Sequence, residues 1–453
     1  MNLIGRIENV AAIASLRQRF PILGQAFRNS GWIFACGILS NATAFVASVL
    51  VARHLGATEI GAIGFAASII AIVRIFASLG LDEVALREIS QDPGSSARII
   101  HSCLLIRFAS TILVLPAIAV TALVFTPDAL QGRVFILLLL SIGLIGVPFS
   151  SASIFYASRL RASVPQIINA SLAIIYMIAV ALGVYLQWSV IYFVSVISIQ
   201  QILSGWIVYQ FYRSEMRPTE NWKSVQRTTK SLIRDSWPQT LSGFGILVQA
   251  YSDQIMLGEM SGLDSVAQYS ISLKMTGVLA FMPLAILTSF MPSLSKRFKA
   301  DRELFWVGFH QANRLASVVC LALITIVYLV GAKLVLATFG IEYLGASALF
   351  FVMSLRICLT SIGVLRSSFL VNANILRYSL LTVIAGTVLN IVLNLLWIPN
   401  HHEFGAVYAS LVSFSVTTIV IDLCFLKTRQ GMLIALRGWL FPFLNYKNQF
   451  LRI

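Results

Sequence analysis

SWPQTLSGFGILVQAYSDQIMLGEMSGLDSVAQYSISLKMTGVLAFMPLAILTSFMPSLSKR, residues Ser236–Arg297, holds two apolar runs of about twenty residues joined by a short polar turn. Runs of that length match an α-helix crossing a hydrocarbon layer about 30 Å thick. One run carries Asp253 and the other Lys274, each well inside its apolar stretch. Working outward, residues 32–87 repeat the same layout. A Leu-Gly pair (Leu55-Gly56, against Leu257-Gly258) is expected to close the first helix of each copy. An acid and a small-residue step follow in each (Glu59-Ile60-Gly61, against Asp264-Ser265-Val266-Ala267). The offset is about 204 residues, close to half of the 453-residue chain. The chain therefore reads as two halves that open with the same helical hairpin.

Composition fixes the class. Hydrophobic residues make up 58% and charged ones 11%, against about 25% charged in a soluble domain. The mean hydropathy is +0.85, which predicts an all-α polytopic membrane protein. A net charge of +15 does not indicate nucleic acid, because the bases are scattered between apolar spans and form no single patch. The five cysteines all lie in apolar runs without metal-ligand spacing and read as small buried hydrophobes. Arg17 and Arg19 interrupt the first apolar stretch, so it reads as a basic amphipathic segment and not as a cleavable signal peptide.

Twelve spans are expected, near 31–52, 61–81, 100–124, 134–156, 164–186, 189–212, 237–257, 268–292, 307–330, 343–370, 376–398 and 404–426. Alternate connections carry very different numbers of Lys and Arg. One set holds both termini, the linker Arg213–Asp235, the turn after span eight and the connections with Arg87, Arg98, Arg159, Arg161 and Arg377, and has 24; the other has only Arg53, Arg133 and Lys333. The bias predicts that both termini are cytoplasmic and that the number of spans is even. Six spans per half make parallel repeats that enclose a cleft. The expected division is a basic amphipathic N-terminus (1–30), an N-lobe (31–212), a cytoplasmic linker (213–236), a C-lobe (237–426) and a basic, interfacial tail (427–453).

Six bases lie inside these spans: Arg74, Arg107, Lys274, Arg314, Arg356 and Arg366. A charge at a helix centre costs about 2.5–3.5 kcal/mol on insertion scales. Only two acids, Asp253 and Asp422, lie inside spans. The excess of cations predicts a wet interior that attracts anions. Helical spacing adds polar stripes: Gln249 with Asp253 in span seven, and Thr387, Asn390 and Asn394 in span eleven. Long side chains near helix ends can also snorkel to the surface, and uncharged polar stripes also join helices. Pro148 and Pro283 are candidate kinks. No phosphate loop, HExxH or CxxC motif occurs, and the adjacent His401 and His402 are poor evidence for a metal site. The outer connections are short, with no domain to carry catalytic carboxylates. That argues against a membrane glycosyltransferase or polymerase, while the positive interior argues against an exporter of cationic drugs.

Three stretches carry a family resemblance: the RHLGA-EIG turn after span one, LGLDEVALREI after span two, and SWPQTLSG…YSDQIMLG…VAQYSISLK from span seven onward. They resemble the polysaccharide repeat-unit (O-antigen type) flippases of the multidrug/oligosaccharidyl-lipid/polysaccharide exporter superfamily. The resemblance implies twelve helices in two six-helix lobes and alternating access by a rocking monomer. It implies a substrate, an undecaprenyl-diphosphate-linked oligosaccharide, moved across a bacterial inner membrane for O-antigen, capsule or exopolysaccharide synthesis. Asp253 and Lys274 fall within its span-seven-to-eight motif and take the lumen role it implies. Arg74, Arg107, Arg314, Arg356, Arg366, Gln249, Asn390 and Asn394 rest on burial, charge and spacing. No cofactor is expected, and a proton or sodium gradient could drive the cycle. The expected partners are the lipid-linked oligosaccharide, membrane lipids, and a polysaccharide polymerase with its chain-length machinery.

Overall fold

In the computed structural model the described residues are 21–124, 132–216, 222–373 and 375–440. The predicted amphipathic N-terminus up to residue 20 and the tail beyond residue 440 lie outside them. Among the described residues there is helix and no strand. In chain order the helices are α1 (Pro21–Leu55), α2 (Ala57–Ser78), α3 (Leu81–Gln91), α4 (Ser96–Val124), α5 (Val134–Ile142), α6 (Ala152–Ser158), α7 (Ser163–Tyr185) and α8 (Val190–Glu215). There follow α9 (Trp222–Ser261), α10 (Leu263–Ala300), α11 (Arg302–Ile326), α12 (Ala332–Phe339), α13 (Leu344–Asn372), α14 (Leu376–Ser415), α15 (Ile421–Cys424) and α16 (Leu426–Leu440). Nine stretches among the described residues are long and apolar enough to cross a membrane. Ala35–Gln91 covers two of the expected spans and Tyr378–Cys424 covers another two, while expected span seven, 237–257 in α9, is not among the nine: its Gln, Ser and Asp residues lower its hydropathy. The chain is a multi-pass membrane protein.

The breaks have local causes. Gly56, between α1 and α2, has φ 79°, and Gly262, between α9 and α10, has φ 88°. Both lie in the left-handed region that glycine enters without a Cβ clash. The second turn therefore falls four residues later than the Leu257-Gly258 pair, and α9 runs on to Ser261. α14 spans two expected helices, separated by His402 at φ 48°, ψ −128°. Pro148 sits between two 3₁₀ turns, Gly143–Gly146 and Phe149–Ser151, so span four is not a straight α-helix. Pro283, in contrast, lies within continuous α10. Two π-helical turns, Val327–Gly331 and Val416–Val420, interrupt spans nine and twelve.

The described residues form two compact units. The first takes the opening helix up to Val51, then Val73–Val124 and Leu138–Thr240. Its core joins Leu81, Val84, Ile99, Cys103, Phe155, Tyr156 and Leu232. The second takes Ala52–Ile72, the stretch up to Leu137 and everything from Leu241. One of its cores is built on Leu287, Phe305, Phe309, Leu365 and Phe369. Met432, Ile434 and Ala435 of α16 are buried in that core, so this part of the tail region is docked on protein. Asn313 fastens it by donating to the Ala435 carbonyl at 2.6 Å and accepting from Trp439 Nε1 at 3.0 Å.

The two copies of the hairpin turn meet inside the second unit. Thr58 donates to Asp264 at 2.8 Å, Ser68 donates to Gln254, and Tyr343 donates to the Ala52 carbonyl at 3.1 Å. Arg53 donates to the carbonyls of Ala337 and Thr338. A Cβ built on Gly61 would stand 1.9 Å from the Leu263 carbonyl oxygen, and one on Gly258 would stand 2.2 Å from the Phe65 ring. Glycine at these two positions lets backbone meet backbone at Gly61 and backbone meet the Phe65 ring at Gly258.

Candidate functional site

Asp253, in α9 of the second unit, is wholly buried. Its carboxylate accepts four hydrogen bonds. Asn390 Nδ2 and Asn394 Nδ2 donate to Oδ1 at 3.0 and 2.7 Å. The Tyr269 hydroxyl donates to Oδ2 at 2.7 Å, and Ser410 donates to the same oxygen. Ser252 donates to Asn390 Oδ1 at 2.9 Å, which orients that amide. Four donors replace the hydration a buried carboxylate loses. Asn394 Oδ1 is buried and accepts no hydrogen bond.

Arg356 stands on α13, and its guanidinium covers the Phe414 ring at 4.8 Å. It also lies close enough to act electrostatically on Tyr269, a member of the Asp253 cage. Its Nη1 is buried with no hydrogen-bond partner. Buried N–H groups are satisfied in the great majority of cases; this one has no acceptor among the described residues. Lys274 is exposed and makes no hydrogen bond or ion pair among the described residues. Gln249 is half-buried with its amide against Gly386 of α14. Arg74 is exposed and Arg314 half-buried.

Two of the sequence-selected bases are already neutralised. Arg107, 1% exposed, pairs with Asp82 at 2.8 Å. It also donates to the Ser78 carbonyl at 3.3 Å and to the hydroxyls of Ser150 and Ser151 at 3.3 and 3.2 Å. Every nitrogen of its fork is used, and the residue ties α3 to the helices around it in the first unit. Arg366 pairs with Asp422 at 2.8 Å, donates to Thr382 at 3.0 Å, and shares Asp422 with the Tyr378 hydroxyl at 2.7 Å. A count of acids inside spans omitted Asp82, because that residue follows span two and reads as a loop acid. The interior excess of cations is therefore smaller than the bare count. Neither Arg356 nor Lys274 forms an ion pair among the described residues.

The cage has members that polar spacing within single helices does not reveal. Tyr269 comes from the next helix, 16 residues along the chain, Ser410 from a helix 157 residues away, and Phe414 is an apolar residue that no polar stripe includes. Only Tyr269 stood inside a quoted motif, VAQYSISLK. Among the described residues no group of three His, Cys, Asp or Glu side chains has metal-binding geometry.

The sequence matches the polysaccharide biosynthesis protein family over residues 26–298, and the chain belongs to that family. No curated protein sequence matches it significantly. The fold is shared with the lipid II flippase MurJ in its inward closed conformation, at TM-score 0.71 and 14% identity over 92% of this chain and 94% of that one. A multidrug resistance MATE family transporter of the MOP superfamily, inward-facing, matches at TM-score 0.65 and 13% identity over 89% and 93%. A MOP superfamily transporter from Pyrococcus furiosus, described by a binding pocket of reverse polarity, matches at TM-score 0.60 and 14% identity over 92% and 94%. The architecture is thus the two-lobed helical fold of these transporters.

Proposed function

We propose that this polysaccharide biosynthesis protein is a flippase for an undecaprenyl-diphosphate-linked oligosaccharide repeat unit. It would carry the unit across a bacterial inner membrane by alternating access, supplying surface polysaccharide assembly. The observation that carries this reading is Arg356, whose buried Nη1 lacks an acceptor. A guanidinium placed over the Phe414 ring can present its fork to phosphate oxygens, which it binds better than an ammonium does. Lys274, exposed and without an ion pair among the described residues, supplies a second charge of the same sign. No bond need break, so no nucleophile or general base is required of the site.

Asp253 takes a different role. A cationic drug would need an accessible acid, and this one is wholly buried under four donors. That disfavours a multidrug exporter. A proton or sodium ion entering the cage would cancel its charge close to Arg356 and so alter how strongly that residue holds an anion. The oxygen ligands present, including unpartnered Asn394 Oδ1, are of the kind a hard cation takes. The polymerase and chain-length proteins are proposed as the next users of the translocated unit.

The test is replacement of Arg356 and of Lys274 by Ala, separately, in a strain that depends on this chain. Surface polysaccharide is then measured at matched protein levels. Each variant is expected to lose at least tenfold in yield. Full polysaccharide from both would remove the site, and failure of purified wild-type protein to move a labelled lipid-linked oligosaccharide between leaflets of proteoliposomes would remove the function.

A further inference from the structure

Helix α9 has 40 residues, which is about 60 Å at 1.5 Å per residue and about twice the hydrocarbon thickness. Its first third therefore precedes span seven, and that third has two unlike faces. Val225, Leu232 and Ser236 are buried. Leu232 belongs to the core of the first unit, and the Val225 carbonyl accepts from Ser102 Oγ at 3.2 Å. At 100° per residue these three fall within an arc of about 40°. Arg227, Lys230 and Arg234 fall within about 60° on the opposite side, and all three are exposed. Ile233 and Trp237, 48% and 62% exposed, border the basic stripe. Among the described residues the acid paired with it is Asp235, 3.5 Å from Arg234, a pair in which the arginine is 82% exposed and which contributes little.

We propose that this stripe is a docking surface for the anionic headgroups of bilayer phospholipids on the side of the membrane that faces the linker. Three features argue for that occupant. The charge is of one sign and lies directly before expected span seven, where an anionic leaflet attracts Lys and Arg. The exposed Trp and Ile beside it are suited to the boundary between headgroups and acyl chains. The opposite face is fixed to protein, so the stripe is presented rigidly and does not fold on contact. The inference is independent of the transported substrate. It gives the segment joining the two halves a lipid-dependent anchor at the start of span seven, the helix that also carries Asp253.

The test uses full-length protein and a fluorescent phosphatidylglycerol titrated in neutral mixed micelles. Wild type is compared with the Arg227→Gln/Lys230→Gln/Arg234→Gln triple variant and with a Lys427→Gln/Arg429→Gln control, which removes exposed bases of α16. Each surface charge is worth about fivefold in affinity, so the triple variant should bind on the order of a hundredfold more weakly. The control should stay within about twofold. Unfolding temperature in phosphatidylcholine alone should be equal for wild type and triple variant, and phosphatidylglycerol should raise it for wild type only. A single Lys230→Glu variant should show the same loss in smaller measure. Equal binding by wild type and triple variant would overturn the proposal. Displacement of the lipid by inorganic diphosphate at tenfold lower concentration than by sulfate would overturn it too, and would assign the stripe to a diphosphate head instead.

Discussion

Replacing Asp253 separates its structural work from its charge. In Asp253→Ala, four donors lose their shared acceptor. Asn394 Nδ2 retains Asn390 Oδ1 at 3.2 Å, and the Ser410 hydroxyl can turn to another acceptor. The Asn390 amide and the Tyr269 hydroxyl remain stranded in a dry site. At about 1–3 kcal/mol for each buried donor left unpaired, the loss is on the order of 4 kcal/mol. In Asp253→Asn, the amide oxygen can still accept from Asn390 and Asn394. Its NH₂ then faces the Tyr269 and Ser410 hydroxyls, which can accept as well as donate. The expected cost is about 1 kcal/mol. Denaturant unfolding in detergent, followed alongside surface polysaccharide, should therefore rank wild type above Asn and Asn well above Ala in stability. Polysaccharide should be lost in both variants, because neither can carry the ionisable charge. Equal stability of the Asn and Ala variants would refute the hydrogen-bond reasoning. A fully active Asn variant would refute the assignment of a charge-dependent role.

Three further outcomes follow from the packing. Gly61→Ala should lower the yield of folded protein or lock the two turns apart, since its Cβ would stand 1.9 Å from the Leu263 carbonyl oxygen; size-exclusion profiles and cysteine crosslinking between positions 58 and 264 would report it. Arg366→Ala should cost about 3–5 kcal/mol by leaving Asp422 buried and unpaired, and Arg366→Ala/Asp422→Ala should recover most of that loss in the same unfolding assay. Arg107→Lys should destabilise by about 2–4 kcal/mol, because an ammonium cannot serve Asp82, the Ser78 carbonyl and two serine hydroxyls from one fixed plane; the mark of a structural role is that surface polysaccharide per molecule of folded protein stays unchanged.

Much of this fold could be read from hydropathy, because apolar runs of fixed length leave few alternatives. The repeat was legible too, although the second turn lies at Gly262 and not at the Leu257-Gly258 pair. There the determining property is a positive φ, which a Leu-Gly match does not encode. The polar stripes located Asp253, Asn390 and Asn394 correctly within their helices, and the structure brings all three together. What spacing could not supply was partnership across helices. Arg107 and Arg356 look alike as bases in apolar runs, yet one meets Asp82 and the other meets Phe414. An acid just past a span end and an aromatic ring both escape a count of intramembrane carboxylates.

Span twelve shows why such partnership resists periodicity. Ser410 and Phe414 are four residues apart and share a helical face, the one reaching Asp253 and the other Arg356. Asp422, which meets Arg366, lies eight residues beyond Phe414. At 100° per residue it would point about 120° away from Ser410. The π-helical turn Val416–Val420 intervenes, and such a turn accommodates one extra residue. Asp422 is thereby carried back to within about 20° of Ser410, as if it stood eleven residues on. One face of a single helix thus meets the buried acid, the unpaired arginine and the paired arginine in succession. A regular helix would point Asp422 away from the face that carries Ser410 and Phe414, so the bulge is what puts all three residues on one side of the span.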